Sequence, residues 1–188
     1  MITHNARMIK HNANILAPHP WQTTWWEWVW CLRGLAYYGR DEPHGYHANV
    51  YLLGNPVVIW AAIAAVAAAA VICIVYLRYR RAAHPAADVH AFAGQASFCL
   101  LGYALNLLPY LGVARSTFVY HYMPALAFAT ILVARVYEQL TPLAYRAAVF
   151  KALVAAAAAV FVHYAPWVYA LPVLPEAHDR RRWLPRWT

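Results

Sequence analysis

"PVVIWAAIAAVAAAAVICIVYL", residues 56–77, decides the fold class. The run carries no charge, and about 20 residues of helix, rising about 1.5 Å each, are enough to cross a hydrocarbon core about 30 Å thick. A helix of a soluble four-helix bundle would need a polar stripe, and this one has none. Arg78, Arg80 and Arg81 close it. Outward from this span the whole chain is consistent with it. Of 188 residues 63% are hydrophobic and 12% charged, against roughly 45–50% and 25% in soluble domains. Nine tryptophans and fourteen tyrosines belong where hydrocarbon meets headgroup.

Three more runs are long and apolar enough to span. "AFAGQASFCLLGYALNLLPYLGVA" covers 91–114 and ends at Arg115; a third runs from about Thr117 to Arg135; a fourth from about Ala147 to Leu174, with Lys151 placed to snorkel. The link between the second and third is read as a residue or two around Arg115 and Ser116, which makes them a hairpin. The expected fold is an all-α membrane protein: four transmembrane helices (56–175), preceded by an amphipathic, aromatic-rich interfacial segment (1–55) and followed by a basic tail (176–188). In the first segment Ile2, Met8, Ile9, Ile15 and Leu16 form a weak amphipathic pattern, and tryptophan recurs at 21, 25, 26, 28 and 30. Such density suits a segment on the membrane surface. The first twenty residues hold no apolar core of a cleavable signal peptide.

The net charge of +8 reads through topology rather than nucleic acid, since no phosphate-tracking groove with interleaved aromatics is visible. Arginines at 78, 80, 81, 135 and 146 mark a cytoplasmic side; Arg180, Arg181, Arg182 and Arg186 argue for the opposite side, leaving a near tie. Cys31, Cys73 and Cys99 form no framework. Ten histidines are scattered without metal-ligand spacing, and His44 and His47 read as a solvated loop pair.

Several polar residues stand out from the apolar background. Gly54, Asn55 and Pro56 fit a helix entry with Asn55 as N-cap, or Asn55 binds a headgroup or substrate. Tyr103, Asn106 and Tyr110 are spaced to share a helix face, as interhelical hydrogen bonders or as a ligand pocket, and Pro109 frees a backbone carbonyl beside them. Tyr120 and Tyr122 flank His121, a proton carrier, phosphate donor or plain hydrogen bonder. Arg115 at the hairpin tip either snorkels or forks onto a phosphate. Glu27 is the one carboxylate in an aromatic setting, and Asp41-Glu42 reads as a solvated turn.

Taken together, "NARMIKHNANIL", "WWEWVWCLRGLAYYG", "VYLLGNPVVIW" and "LGYALNLLPYLGVARSTFVYHYMPAL" resemble, in order, the C-terminal four-span region of the dolichyl-phosphate-mannose protein O-mannosyltransferases. The likeness covers about Asn5 to Arg135, with the fourth span matched by hydropathy. It implies a multi-pass endoplasmic reticulum enzyme that moves mannose from dolichyl phosphate mannose to serine or threonine of secretory proteins, inverting and independent of metal or cofactor. It implies that both ends of the region face the lumen, and a dimer with a related chain. Full-length relatives carry seven upstream spans, a catalytic acidic pair and a β-trefoil domain, and Asp41-Glu42 does not match that pair. The chain is therefore expected to be a fragment, an incomplete gene model or a stand-alone relative, with no catalytic residue of its own and no activity alone. Arg115, Tyr120, His121, Asn106 and Asn55 are the candidates for the lipid-donor cavity, and no metal ligand is assigned. The alternative is a non-catalytic four-span subunit whose alanine-rich helices pack against other membrane proteins; a transporter ranks third.

Overall fold

In the computed structural model, which describes residues 4–5, 7–8, 17–83 and 86–187, four helices are long and apolar enough to cross a membrane. They are α2 (Pro56–Ala83), α3 (Ala87–Leu107), α4 (Met123–Leu140) and α5 (Leu143–Val168). Ahead of them come a short helix, α1 (Trp25–Val29), and two strands, β1 (Leu35–Glu42) and β2 (Tyr46–Leu52); a final short helix, α6 (Pro175–Asp179), follows. The amphipathic pattern expected at the N-terminus lies outside the described residues, apart from an exposed Met8.

Each span begins and ends where its local chemistry requires. Gly54 takes a φ of +81°, a region costly for residues with a Cβ. Asn55 then caps α2, its Oδ1 accepting the amides of Val57 at 3.1 Å and Val58 at 3.4 Å. Proline at the first helical position loses no hydrogen bond there. The second span departs from its expected length. Its α-helix stops at Leu107, and the chain continues as a 3₁₀ turn, Leu108–Gly112, because Pro109 has no N–H to extend the ladder. A second 3₁₀ turn, Val119–Tyr122, leads into α4. The link between spans two and three is thus residues 113–118 and not the one or two residues expected.

Helices α2, α3 and α4 pack together through small residues. Ala65, Ala69, Ala96 and Cys99 are buried there around Phe92 and Leu132. A Cβ on Gly102 would sit 2.5 Å from the Phe128 ring, so glycine sets the approach of α3 to α4. Helix α5 stands further out, buried only at Tyr164 and Trp167 among its described residues. It is tethered near its middle and at its start: Asn55 Nδ2 donates to the Ala157 carbonyl at 2.8 Å, and Tyr137 Oη to that of Arg146 at 2.6 Å.

The helix ends at Pro56, Leu107, Met123 and Val168 share one side of the bundle, and the remaining elements cap that side. Strands β1 and β2 form an antiparallel hairpin, Leu35 opposite Leu52 through Glu42 opposite Tyr46. This sheet is absent from the all-α expectation. His44 (φ 65°) and Gly45 (φ 78°) turn it at the tip. Helix α1 starts with the Glu27 carboxylate reaching back to the Thr24 amide at 2.8 Å. Trp28, Trp167 and Trp187 are buried between this cap and the spans. Trp28 Nε1 donates to Thr23 Oγ1 at 2.7 Å, and Trp187 Nε1 to the Cys31 carbonyl at 2.9 Å. Cys31 is enclosed by these contacts, and burial pushes its thiol up to about 12.

The C-terminal arginines are largely spent within the cap. Arg181 donates to the carbonyls of His163 and Ala177, Arg182 pairs with Asp179, and Arg186 pairs with Glu27. At the opposite end of the bundle Arg78, Arg80 and Arg81 are exposed.

Candidate functional site

The strip between spans two and three is clamped to the tryptophan-rich segment. The Thr23 amide donates to the Thr117 carbonyl at 2.7 Å, and Thr117 Oγ1 donates back to the Thr23 carbonyl. Ser116 Oγ bridges Gln22 Oε1 at 2.8 Å and the Ala17 carbonyl at 3.0 Å. Threonine and serine hydroxyls here replace the hydrogen bonds that irregular backbone would otherwise lose.

Between the two strips lies a cavity of about 220 Å³ lined by Pro18, Gln22, Trp25, Tyr110 and Arg115. Arg115 is half-buried, and its guanidinium makes no hydrogen bond or ion pair with any described residue. A guanidinium offers five donors in a fixed fork matched to phosphate or carboxylate oxygens. Placed between the ends of two spans, it is chemically suited to an anionic group.

Aromatic rings support the cavity wall. Tyr110 packs edge-on to Trp28 with centroids 5.0 Å apart, and to His121 at 5.4 Å. His121 stacks on Tyr120 at 4.4 Å and on Trp28 at 6.1 Å. Its Nδ1 lies 3.1 Å from the Phe118 amide and 3.0 Å from the Phe118 carbonyl. A neutral Nδ1 accepts from the amide and a protonated one donates to the carbonyl, so His121 fixes the 3₁₀ turn in either state.

The five residues expected at a donor cavity thus separate. Arg115 lines this cavity; His121 and Tyr120 stand behind it through Tyr110. Asn106 turns back on its own helix, Nδ2 donating to the Gly102 carbonyl at 2.8 Å. Asn55 spends its amide on the α2 cap and the Ala157 tether, beside a second cavity of about 220 Å³. That one is lined mainly by apolar side chains, among them Leu53, Val160, Phe161 and Trp167, and sequence reading passed over it because its walls come from β2 and the far end of α5. The common face expected for Tyr103, Asn106 and Tyr110 is broken by Pro109. Tyr103 Oη instead meets Tyr122 Oη at 3.3 Å inside the bundle, while Tyr110 leaves on the 3₁₀ turn.

The carboxylates are structural or solvated. Glu27 is 5% exposed, with Oε2 on Thr24 and Oε1 on Arg186. Asp41 and Glu42 end β1 at the hairpin tip, paired with His47 and Arg40. His44 and His47 lie at that tip as well, His47 within β2. Among the described residues no three histidine, cysteine or acidic side chains gather as a metal site.

Comparison with known proteins covers the whole of this architecture. The description "C-terminal four TMM region of protein-O-mannosyltransferase" matches residues 1–187. Dolichyl-phosphate-mannose–protein mannosyltransferase 1 of Saccharomyces cerevisiae is 28% identical over 99% of this chain and 23% of its own length. Protein O-mannosyl-transferase 1 of Rattus norvegicus is 34% identical over 61% of this chain and 15% of its own. The solved S. cerevisiae protein O-mannosyltransferase Pmt1-Pmt2 complex bound to the sugar donor contains a chain that superposes with a TM-score of 0.88 at 28% identity. That match covers 100% of this chain and 26% of the other. The chain therefore spans about a quarter of the length of the yeast relatives it matches.

Proposed function

This chain belongs to the family of the C-terminal four-transmembrane region of protein O-mannosyltransferases, and from that premise we propose that it holds the phosphate of dolichyl phosphate mannose during transfer to protein hydroxyls. The observation that carries the reading is the unpaired Arg115 guanidinium in the cavity at the capped end of the bundle. A lipid-linked sugar phosphate has its polyprenyl chain in hydrocarbon and its phosphate at the surface, which is the level of this cavity. When the mannosyl–oxygen bond breaks, negative charge accumulates on the leaving phosphate, and a fixed guanidinium stabilises that charge more in the transition state than in the ground state. Arg115 then does what a divalent cation does in other sugar transferases, so transfer needs no metal or other cofactor. The apolar second cavity accommodates hydrocarbon beside the same end of α5.

Transfer also requires a base for the acceptor serine or threonine hydroxyl. Glu27 is occupied on both oxygens, and Asp41 and Glu42 sit at the hairpin tip, apart from the Arg115 cavity. The base in this reading is a carboxylate outside this region, and the chain acts as one module of the enzyme rather than alone. In this reading the capped side faces the lumen of the endoplasmic reticulum, Arg78 to Arg81 face the cytoplasm, and a related mannosyltransferase chain is the dimer partner. Retention of dolichyl phosphate mannose in preference to dolichol by the chain in lipid nanodiscs, unaffected by a chelator, is the expected result. Equal retention of the two lipids would overturn it.

A further inference from the structure

We propose that the open face of the β1–β2 hairpin is a second site, which binds a neutral pyranose. Asn49 and Tyr51, two residues apart on β2, point to the same face of the sheet. Their partners across the ladder are Gly39 and Ala36. Two large residues on one strand face two of the smallest on the other, and a cleft of about 370 Å³ results, within the size range of small-molecule sites. Filling it takes little: a Cβ on Gly39 would already stand 3.0 Å from Asn49 Oδ1.

The walls carry the two chemistries that a sugar ring presents. The register slips between Ala36 and Tyr38, so Tyr37 is the extra residue of a bulge, a feature that re-aims side chains. Tyr37 and Tyr38 line the cleft yet remain 59% and 47% exposed. Trp21 closes the far side, edge-on to Tyr51 at 6.0 Å. Aromatic faces receive the C–H face of a pyranose, and an amide receives its hydroxyl edge as both donor and acceptor. Asn49 is half-buried, and its amide makes no hydrogen bond to any described residue, so its donor and its acceptor are both open to a ligand.

Charge narrows the class. No charged side chain lines the cleft. Arg33 lies over Trp21 at 5.7 Å, but its guanidinium is committed to the carbonyls of Pro20 at 2.6 Å and Gln22 at 3.4 Å. An anion finds no free cation, and a purely apolar ligand leaves the Asn49 amide unpaired. The choice of mannose among pyranoses rests on the mannosyl-transfer reading above: the cleft shares the capped side with Arg115 and there holds mannose already joined to protein.

The test is saturation-transfer NMR on the full chain in nanodiscs free of donor lipid, with methyl α-mannoside as the probe. Transfer to the probe is expected from the unaltered chain. It is expected to vanish in Gly39→Val, and to fall at least about fivefold in Asn49→Ala, the size of one lost hydrogen bond. Arg115→Ala should leave it unchanged, so donor retention can fail while the sugar site stands, and the reverse. Absence of transfer from the unaltered chain, equal transfer in Asn49→Ala, preference for methyl α-glucoside, or response to a serine-rich peptide alone would each overturn the assignment.

Discussion

Arg186 donates to Oε1 of Glu27 at 2.9 Å across 159 positions of sequence, and this contact closes the cap over the spans. Glu27 is nearly enclosed, whereas the Arg186 side chain is 62% exposed. Solvent screening therefore discounts the pair. Arg186→Ala is expected to cost roughly 1–2 kcal/mol, below the 3–5 kcal/mol typical of a fully buried pair. Glu27→Gln keeps an oxygen for Thr24 and should cost less than Glu27→Ala. Thermal unfolding followed by tryptophan fluorescence reads both, since Trp28 and Trp187 lie beside the contact.

Asn55 joins two tasks that substitution separates. Asn55→Asp keeps the oxygens that cap α2 but loses the donor to Ala157. Asn55→Ala loses both, and is expected to destabilise by about 2 kcal/mol, against about 1 kcal/mol for aspartate. A cysteine at Leu153, half-buried on α5 beside Val57 and Val58 of α2, should become more reactive toward a membrane-permeant thiol reagent in both variants, as the outer helix loosens.

Gly102 is fixed by the Phe128 ring. Gly102→Ala is expected to cost about 1–3 kcal/mol through overpacking, and Phe128→Leu in the same chain should recover most of it. Thermal stabilities of the two single variants and the double variant in one detergent give the coupling.

Cys31 carries a pH dependence with a defined sign. An unfolded thiol ionises near 9, whereas burial holds the folded one up to about 12. The folded state therefore binds the proton more tightly, and this contribution to stability, complete below pH 9, is lost as pH rises from 9 toward 12. At pH 8 the native chain should alkylate far more slowly at Cys31 than the denatured chain. Mass spectrometry of iodoacetamide-treated protein measures the difference.

The spans were legible because hydrocarbon thickness imposes a length that composition alone reveals. Gly54 and Asn55 were legible for a similar reason, since a cap is decided within four residues. Pro109 is visible too, but its reach is not: it ends α3 and moves Tyr110 off the face of Tyr103 and into the wall of the Arg115 cavity. The hairpin was hidden because tyrosine and tryptophan serve a membrane surface and a strand equally well, and only the pairing of Leu35 with Leu52 separates them. The roles of Arg181, Arg182 and Arg186 were illegible in principle for a local reading, since the acceptors that use up two of them, the His163 carbonyl and Glu27, lie 18 and 159 positions away.

Donor retention by Arg115 variants is the most direct measurement of all. Arg115→Ala is expected to weaken binding of dolichyl phosphate mannose by about tenfold to a hundredfold, as for a lost charge-assisted hydrogen bond. Arg115→Lys should recover part of it, because an ammonium keeps the charge without the fork. Unchanged thermal stability in both would separate binding from folding. Undiminished donor binding by a correctly folded Arg115→Ala chain would contradict the assignment of this cavity to the donor phosphate.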